Sequence, residues 1–269
     1  MSRHRSSNRT VLRGVIRVLV VLVLAGAVTV LVVRAYDRTR SAPEAPTAAP
    51  HGSPAAQDGL YQPNPTLLVV VDSMGAPPDL TITKAYPEII GEKMGWNVVV
   101  DSVGGRGFMA NDLSNVGVNK VVPPVMETLK DDADHYKADY ILVDTGRNDL
   151  GGKEYTAVAA AADDYLTALR AAYPNAKVIV MLPSYISPVK ADLYPLIAEP
   201  IRQSAERIGA VVLDPVGEKW YEGVDLAPFL FTDMFHLNDA GAQFYAQKIL
   251  DDLRKLGITP YSGSTEGAP

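Results

Sequence analysis

Four stretches of this 269-residue chain carry side chains that could act together on an acyl group. In Thr66 to Gly75 an apolar run, Leu67 to Val71, stops abruptly at Asp72-Ser73. A serine hydroxyl becomes a nucleophile only beside a base that takes its proton. Beyond residue 60 the chain offers two histidines, His135 and His236. His236 stands in Thr232-Asp233-Met-Phe-His236, where one turn would bring the Asp233 carboxylate onto the imidazole, setting its tautomer and stabilising the imidazolium. His135, beside Asp131, Asp132 and Asp134, reads as a solvated surface residue on the opposite side of the fold. Acyl transfer also needs donors aimed at the charge that develops on the carbonyl oxygen. Gly104-Gly105-Arg106-Gly107 could present backbone N–H groups, and Asn148, in Gly146-Arg147-Asn148-Asp149, a side-chain N–H. Each stretch also has a plainer reading: a helix cap at Ser73, and ordinary turns at the other three.

These stretches matter together only if the fold places them on one edge. Leu67 to Val71 is short, continuous and rich in β-branched residues, which fits a strand buried on both faces. Further strands are expected at Trp96–Val100, Ala138–Val143, Lys177–Leu182 and Ala210–Leu213. Helices are expected at Leu80–Met94 (Ile82, Ala85, Ile89 and Met94 facing inward), Val121–Leu129, Lys153–Tyr173, Leu193–Ile208 and Asn238–Leu256. Strands alternating with helices imply an α/β fold: a flavodoxin-like three-layer α/β/α sandwich around a central, mostly parallel five-stranded sheet. Such sheets bind ligands outside the carboxyl ends of their strands, where Ser73, the glycine turn, Asn148 and the segment before the last helix would all lie.

Composition narrows the rest. The chain has no Cys, which excludes disulfides, thiolate nucleophiles and thiolate metal sites. Residues 1–40 hold eight Arg against a single acid, Asp37, while the whole chain carries −6, so everything after residue 40 is strongly acidic and a poor partner for nucleic acid. Residues 1–10 read as a basic cytoplasmic tail and 11–34 as a transmembrane anchor, since Val18–Val33 is apolar except for Thr29 and Arg13 and Arg17 can snorkel. A cleaved signal peptide is the competing reading, in which case the protein would be secreted. Five Arg precede the span and three follow it, which places the N-terminus in the cytoplasm and the domain outside. Residues 35–65, rich in Pro and Ala, read as a disordered tether, 66–258 as the folded domain and 259–269 as a disordered tail.

The order and placement of the four stretches resemble the SGNH (GDSL-type) hydrolase family, from Thr66 to about Leu256. Asp72-Ser73 is similar to its nucleophile block, Gly146-Arg147-Asn148-Asp149 to its Gly-x-Asn-Asp block, and Asp233-Met-Phe-His236 to its Asp-x-x-His block. Two glycines three apart fit Gly104 and Gly107, so the resemblance assigns the second donor to Gly107, with Gly105 as the alternative. One departure stands out: Val71 replaces the glycine of Gly-Asp-Ser. The resemblance implies ester or thioester hydrolysis without metal or organic cofactor. In it Ser73 attacks, His236 is base and then acid, and Asp233 orients His236. The N–H groups of Ser73 and Gly107 and the Asn148 side chain hold the oxyanion. Arg106 and Arg147 would flank the site as contacts for an anionic substrate, or else form salt bridges to nearby acids.

An α/β-hydrolase elbow would need Gly-x-Ser-x-Gly and a Rossmann site Gly-x-Gly-x-x-Gly; Val71-Asp-Ser-Met-Gly75 is neither. An inactive binding module is the reading from another class. No long apolar insertion interrupts the blocks, and Trp220, Tyr221 and Phe229 lie among charged residues. The expectation is therefore a small-molecule or glycan ester carrying a short acyl group, acetyl first, with longer-chain lipase or thioesterase activity as the alternative.

Overall fold

The computed structural model describes residues 64–75, 82–112, 120–150, 153–183 and 194–261. Strands β1 (Thr66–Val71), β2 (Asn97–Ser102), β5 (Tyr140–Asp144), β6 (Lys177–Met181) and β7 (Val211–Leu213) form one sheet in the order β2-β1-β5-β6-β7. Every pairing in it is parallel. A second, two-stranded pairing joins β3 (Asn111–Asp112) to β4 (Val121–Val122) antiparallel. The helices are α1 (Tyr86–Met94), α2 (Met126–His135), α3 (Tyr155–Ala172), α4 (Tyr194–Arg207) and α5 (Asp239–Lys255).

The side-chain alternation of β1 explains the layers. Leu67, Val69 and Val71 join one apolar cluster with α1 and α5; Leu68 and Val70 join another with α2, α3 and α4. Both faces of β1, which lies between β2 and β5, are thus covered, which is why its sequence is apolar without interruption. The α/β fold and its central five-stranded sheet agree with the expectation from the strand–helix alternation.

Two elements and one aromatic residue differ from what the sequence led us to expect. The first helix begins at Tyr86, so Ile82 and Ala85 precede it, while Ile89 and Met94 are buried. Val121–Val122 is a strand, and the helix expected there starts only at Met126 and runs to His135. Pro123 and Pro124 explain the shift: neither has an amide to donate, and proline disfavours helical backbone in the residue before it. Trp220 lies in the core, where its indole N–H donates to Asp252 at 3.0 Å, so it is packing rather than a face for sugar. Phe229 stacks on Phe244, with ring centroids 4.8 Å apart.

The anchor expected at 11–34, nearly all of the tether expected at 35–65 and most of the tail lie outside the described residues. Among the described residues no helix is long and apolar enough to cross a membrane.

Candidate active site

Ser73 lies two residues past the carboxyl end of β1, an interior strand flanked by β2 and β5. The Asp72 side chain shapes the turn: its Oδ1 accepts the Met74 amide at 2.9 Å and its backbone carbonyl accepts the Gly75 amide at 3.3 Å. The Ser73 amide between them has no acceptor among the described residues.

His236 reaches this point from the far end of the chain. Its segment is a tight hairpin: the Phe231 amide donates to the His236 carbonyl at 2.9 Å, Leu230 bridges Leu237, and the Met234 amide donates to the Phe231 carbonyl at 2.9 Å. Asn238 caps α5 through the Gly241 amide at 3.0 Å and donates to the carbonyls of Pro228 and Leu230, so the helix start anchors the hairpin. Within the hairpin, Asp233 Oδ1 accepts the amides of Phe235 and His236, and Oδ2 lies 2.7 Å from His236 Nδ1. Burial pushes the Asp233 carboxyl up, but the hydrogen bonds from the His236 ring and from the His236 and Phe235 amides outweigh it and hold its pKa below the usual value. The ionised carboxylate therefore keeps the ring proton on Nδ1, leaving a lone pair on Nε2. That nitrogen is 2.9 Å from Ser73 Oγ, across 163 residues of sequence.

The glycine stretch forms the facing wall. Arg106 N–H donates to the Val103 carbonyl at 3.1 Å, closing a turn with Gly104 and Gly105 at its centre and Gly105 at φ 80°. A β-carbon on Gly104 would come within 3.8 Å of Ser73 Cβ, so this turn lies against the serine. The Gly105 amide has no acceptor among the described residues. Gly107 faces elsewhere: a β-carbon there would overlap the Asp149 carboxylate. Asn148 sits in a single 3-10 turn, Arg147–Asp149, entered through Gly146 at φ 102°. Its amide nitrogen donates to Asp72 Oδ2 at 3.2 Å and to the Arg106 carbonyl at 3.0 Å.

Below these groups lies a buried ionic floor. Arg147 Nε donates to Asp72 Oδ2 at 3.1 Å, and Arg147 Nη1 and Nη2 donate to Asp144 Oδ1 at 2.7 and 2.8 Å. The Tyr86 hydroxyl donates to Asp144 Oδ2 at 2.6 Å and that of Tyr245 at 3.2 Å. Burial, then the charge of Asp144, raises both phenols far above their usual range, so they remain neutral donors. Burial opposes the charge on Arg147, but Asp144 and Asp72 overcome it and hold the guanidinium protonated. Burial pushes the Asp72 carboxyl up, against the pull of Arg147.

The family model for the GDSL-like lipase/acylhydrolase family matches residues 72–244, well over half of the chain. The chain belongs to this family. As a GDSL-family member it is a carboxylic ester hydrolase. Among solved structures, the psychrotrophic esterase EstA from a Pseudoalteromonas species is 16% identical over 72% of this chain and 98% of its own, with a TM-score of 0.56. A family two carbohydrate esterase from Clostridium thermocellum in complex with cellohexaose is 16% identical over 74% of this chain and 67% of its own, at 0.57. Est24, a carbohydrate acetylesterase from Sinorhizobium meliloti, is 14% identical over 72% of this chain and all of its own, at 0.53. These likenesses establish a shared fold. No curated protein matches the sequence.

The valine that departs from the family's Gly-Asp-Ser has a local explanation in this GDSL-family hydrolase. Val71 is the last residue of β1 and fully buried, and a β-carbon on Gly75 would collide with its Cγ1. The space a glycine would leave at 71 is left at 75 instead, and the turn closes on the valine.

Arg106 and Arg147 are corrected: neither flanks the site as a substrate contact. Both are fully buried. Arg106 Nη1 pairs with Asp101 at 2.8 Å and reaches Thr128, while Nη2 donates to the carbonyls of Asp101 and Val71. Carboxylates below the sheet edge draw each guanidinium inward, since a buried acid without a cation is costly. The salt-bridge alternative describes both. His135, as expected, is exposed at the end of α2. Tyr86 and Tyr245 carried no signal in the sequence beyond helical periodicity, because their hydroxyls meet Asp144 only once α1 and α5 pack on the same face.

Proposed function

We propose that this protein is a serine esterase that removes, or transfers to another alcohol, a short acyl group, acetyl first, from a carbohydrate or other cell-envelope alcohol. The hydrogen-bonded chain from Ser73 Oγ through His236 to Asp233 carries the reading. In the proposed reaction Ser73 Oγ attacks the ester carbonyl as its proton passes to His236 Nε2, while Asp233 stabilises the imidazolium. His236 then returns the proton to the departing alcohol oxygen. Water, or a second alcohol, repeats the sequence on the acyl-serine and releases the acid or a new ester. The oxyanion is assigned to the amides of Ser73 and Gly105, the alternative to Gly107 taken here because its turn lies against Ser73, and to Asn148, whose N–H on Asp72 turns to the substrate oxygen while the other stays on the Arg106 carbonyl.

The substrate half of the proposal rests on the absence of long apolar insertions between the matched blocks. Carbohydrate esterases among the structures of the same fold are in keeping with it. The apolar stretch at 11–34 and the Arg excess before it support an anchored protein with its domain outside the cytoplasm and a tether long enough to reach envelope polymers.

The test pairs a fluorophosphonate probe with p-nitrophenyl esters from acetate to palmitate. Labelling at Ser73 with peak kcat/KM at the shortest chains is expected. An unlabelled Ser73 would favour the binding module. A peak at long chains would point to a lipid or thioester substrate.

A further inference from the structure

Asp149 is a buried acid that neither the nucleophile–base pair nor the ionic floor uses. It ends the 3-10 turn that presents Asn148, and its carboxylate is fully shielded from solvent. Its Oδ2 accepts the Phe108 amide at 2.7 Å and its Oδ1 the Met109 amide at 3.2 Å. Those two amides continue the Gly104–Gly107 stretch. One residue earlier in the same turn, Asn148 donates to the Arg106 carbonyl at 3.0 Å. Consecutive side chains of one short turn thus clamp one loop, Asn148 as donor and Asp149 as acceptor. Gly107 belongs to the same contact, because any side chain there would occupy the carboxylate's space.

We propose that Asp149 is a positioning residue of the oxyanion site: by accepting both amides it holds the glycine loop against Ser73 and keeps the Gly105 N–H and the Asn148 side chain in mutual register. The proposal rests on the esterase reading given above. Its physical core is the choice of a carboxylate. A buried acid costs free energy that an amide would not. Asparagine, however, has a single acceptor oxygen and would aim an N–H₂ at a second backbone N–H. Only the ionised carboxylate accepts both amides. Burial raises its pKa to about 6, the Phe108 and Met109 amides and the charge of Lys153 opposing the rise and Asp72 adding to it. Protonation below that point removes one acceptor and frees one strand of the clamp.

The experiment compares full-length protein and Asp149→Asn on p-nitrophenyl acetate across pH, with thermal melts alongside. The expected result is a roughly ten- to hundredfold fall in kcat at neutral pH with KM nearly unchanged, as for a misplaced oxyanion donor. The ratio of wild-type to variant kcat should shrink as pH falls through about 6, where the wild-type carboxyl becomes protonated. His236, Asp233, Asp72 and Lys153 are common to both proteins, so the ratio isolates Asp149. Gly107→Ala, which presses a methyl onto the carboxylate, should give the same kcat-selective loss if Asp149→Asn fails to fold. An unchanged kcat, a loss residing in KM, a ratio flat across pH, or unfolding of both variants would overturn the positioning role. Wild-type protein whose Ser73 takes no fluorophosphonate would instead overturn the esterase reading itself.

Discussion

The two sides of the candidate site are built on opposite principles. The Asp233–His236 hairpin is a surface device: the His236 side chain is 19% exposed and that of Asp233 43%. Its geometry comes from hydrogen bonds within a few residues of sequence. The floor beneath Ser73 is an interior device, where Asp72, Asp144 and Arg147 are at most 2% exposed and meet partners as far as 101 residues away. His236, which must exchange protons with substrate, is kept where water can reach it. Groups that only hold a nucleophile and an oxyanion loop in place are sealed in low dielectric, where each hydrogen bond is stiff and each loss expensive.

The comparison breaks most completely if the surface pair is not the machinery. Ser73→Ala or His236→Ala should lower turnover of p-nitrophenyl acetate by on the order of a million-fold while the melting curve stays near the wild type's. Near-parental turnover in either variant would remove the hairpin from the chemistry.

The floor should fail the other way. Arg147→Met leaves Asp72 and Asp144 buried without their cation, and denaturant unfolding should show a loss of about 3–5 kcal/mol. A loss below about 1 kcal/mol would mean that the floor contributes no more than a surface ion pair. Between these extremes stands Asn148, at the junction of floor and oxyanion site. Asn148→Ala should reduce kcat by about a hundred- to a thousand-fold with KM nearly constant. A rise in KM at constant kcat would make it a substrate contact instead.

The smallest effect sharpens the electrostatic side. Asp132 on α2 is pushed up to about 7 by burial and then by the neighbouring Asp101 charge. Its folded-state value lies above the ordinary 3.8, so the folded protein binds the proton more tightly and Asp132 favours folding increasingly as pH falls through about 7. Asp132→Asn removes a buried charge that is costly only above that point. Its melting temperature should exceed the wild type's at about pH 8, and the advantage should shrink towards about pH 5. A constant difference between the two proteins would show that the carboxyl titrates normally.

How legible the molecule was depends on the sequence distance over which each feature is decided. Strand and helix existence follows from periodicity within ten to twenty residues, and the alternating order then prescribes a parallel sheet. Asp233 and His236 are three residues apart, so their approach is a property of one turn and could be read directly. The same local reading marked Ser73 at a strand end and Gly146 to Asp149 as a turn. It failed at Val121–Val122, where pairing with Asn111–Asp112 and the two prolines that follow decide the conformation.

What the sequence alone determined is therefore the layer order, the buried apolar strand β1 and the local turns that display Ser73, Asn148 and His236. Tertiary structure decided which of those turns face one another. It brought Ser73 to His236 across 163 residues. It drew Arg147 beneath Ser73 to Asp72, 75 residues away, instead of out towards solvent. It turned Gly107 towards Asp149 and the Gly104–Gly105 turn towards the serine. The physical reason is common to all of these. A charged or small residue in a loop has the same local propensity whether it faces water, substrate or a buried counter-charge, and only the partners that packing brings into reach choose among them.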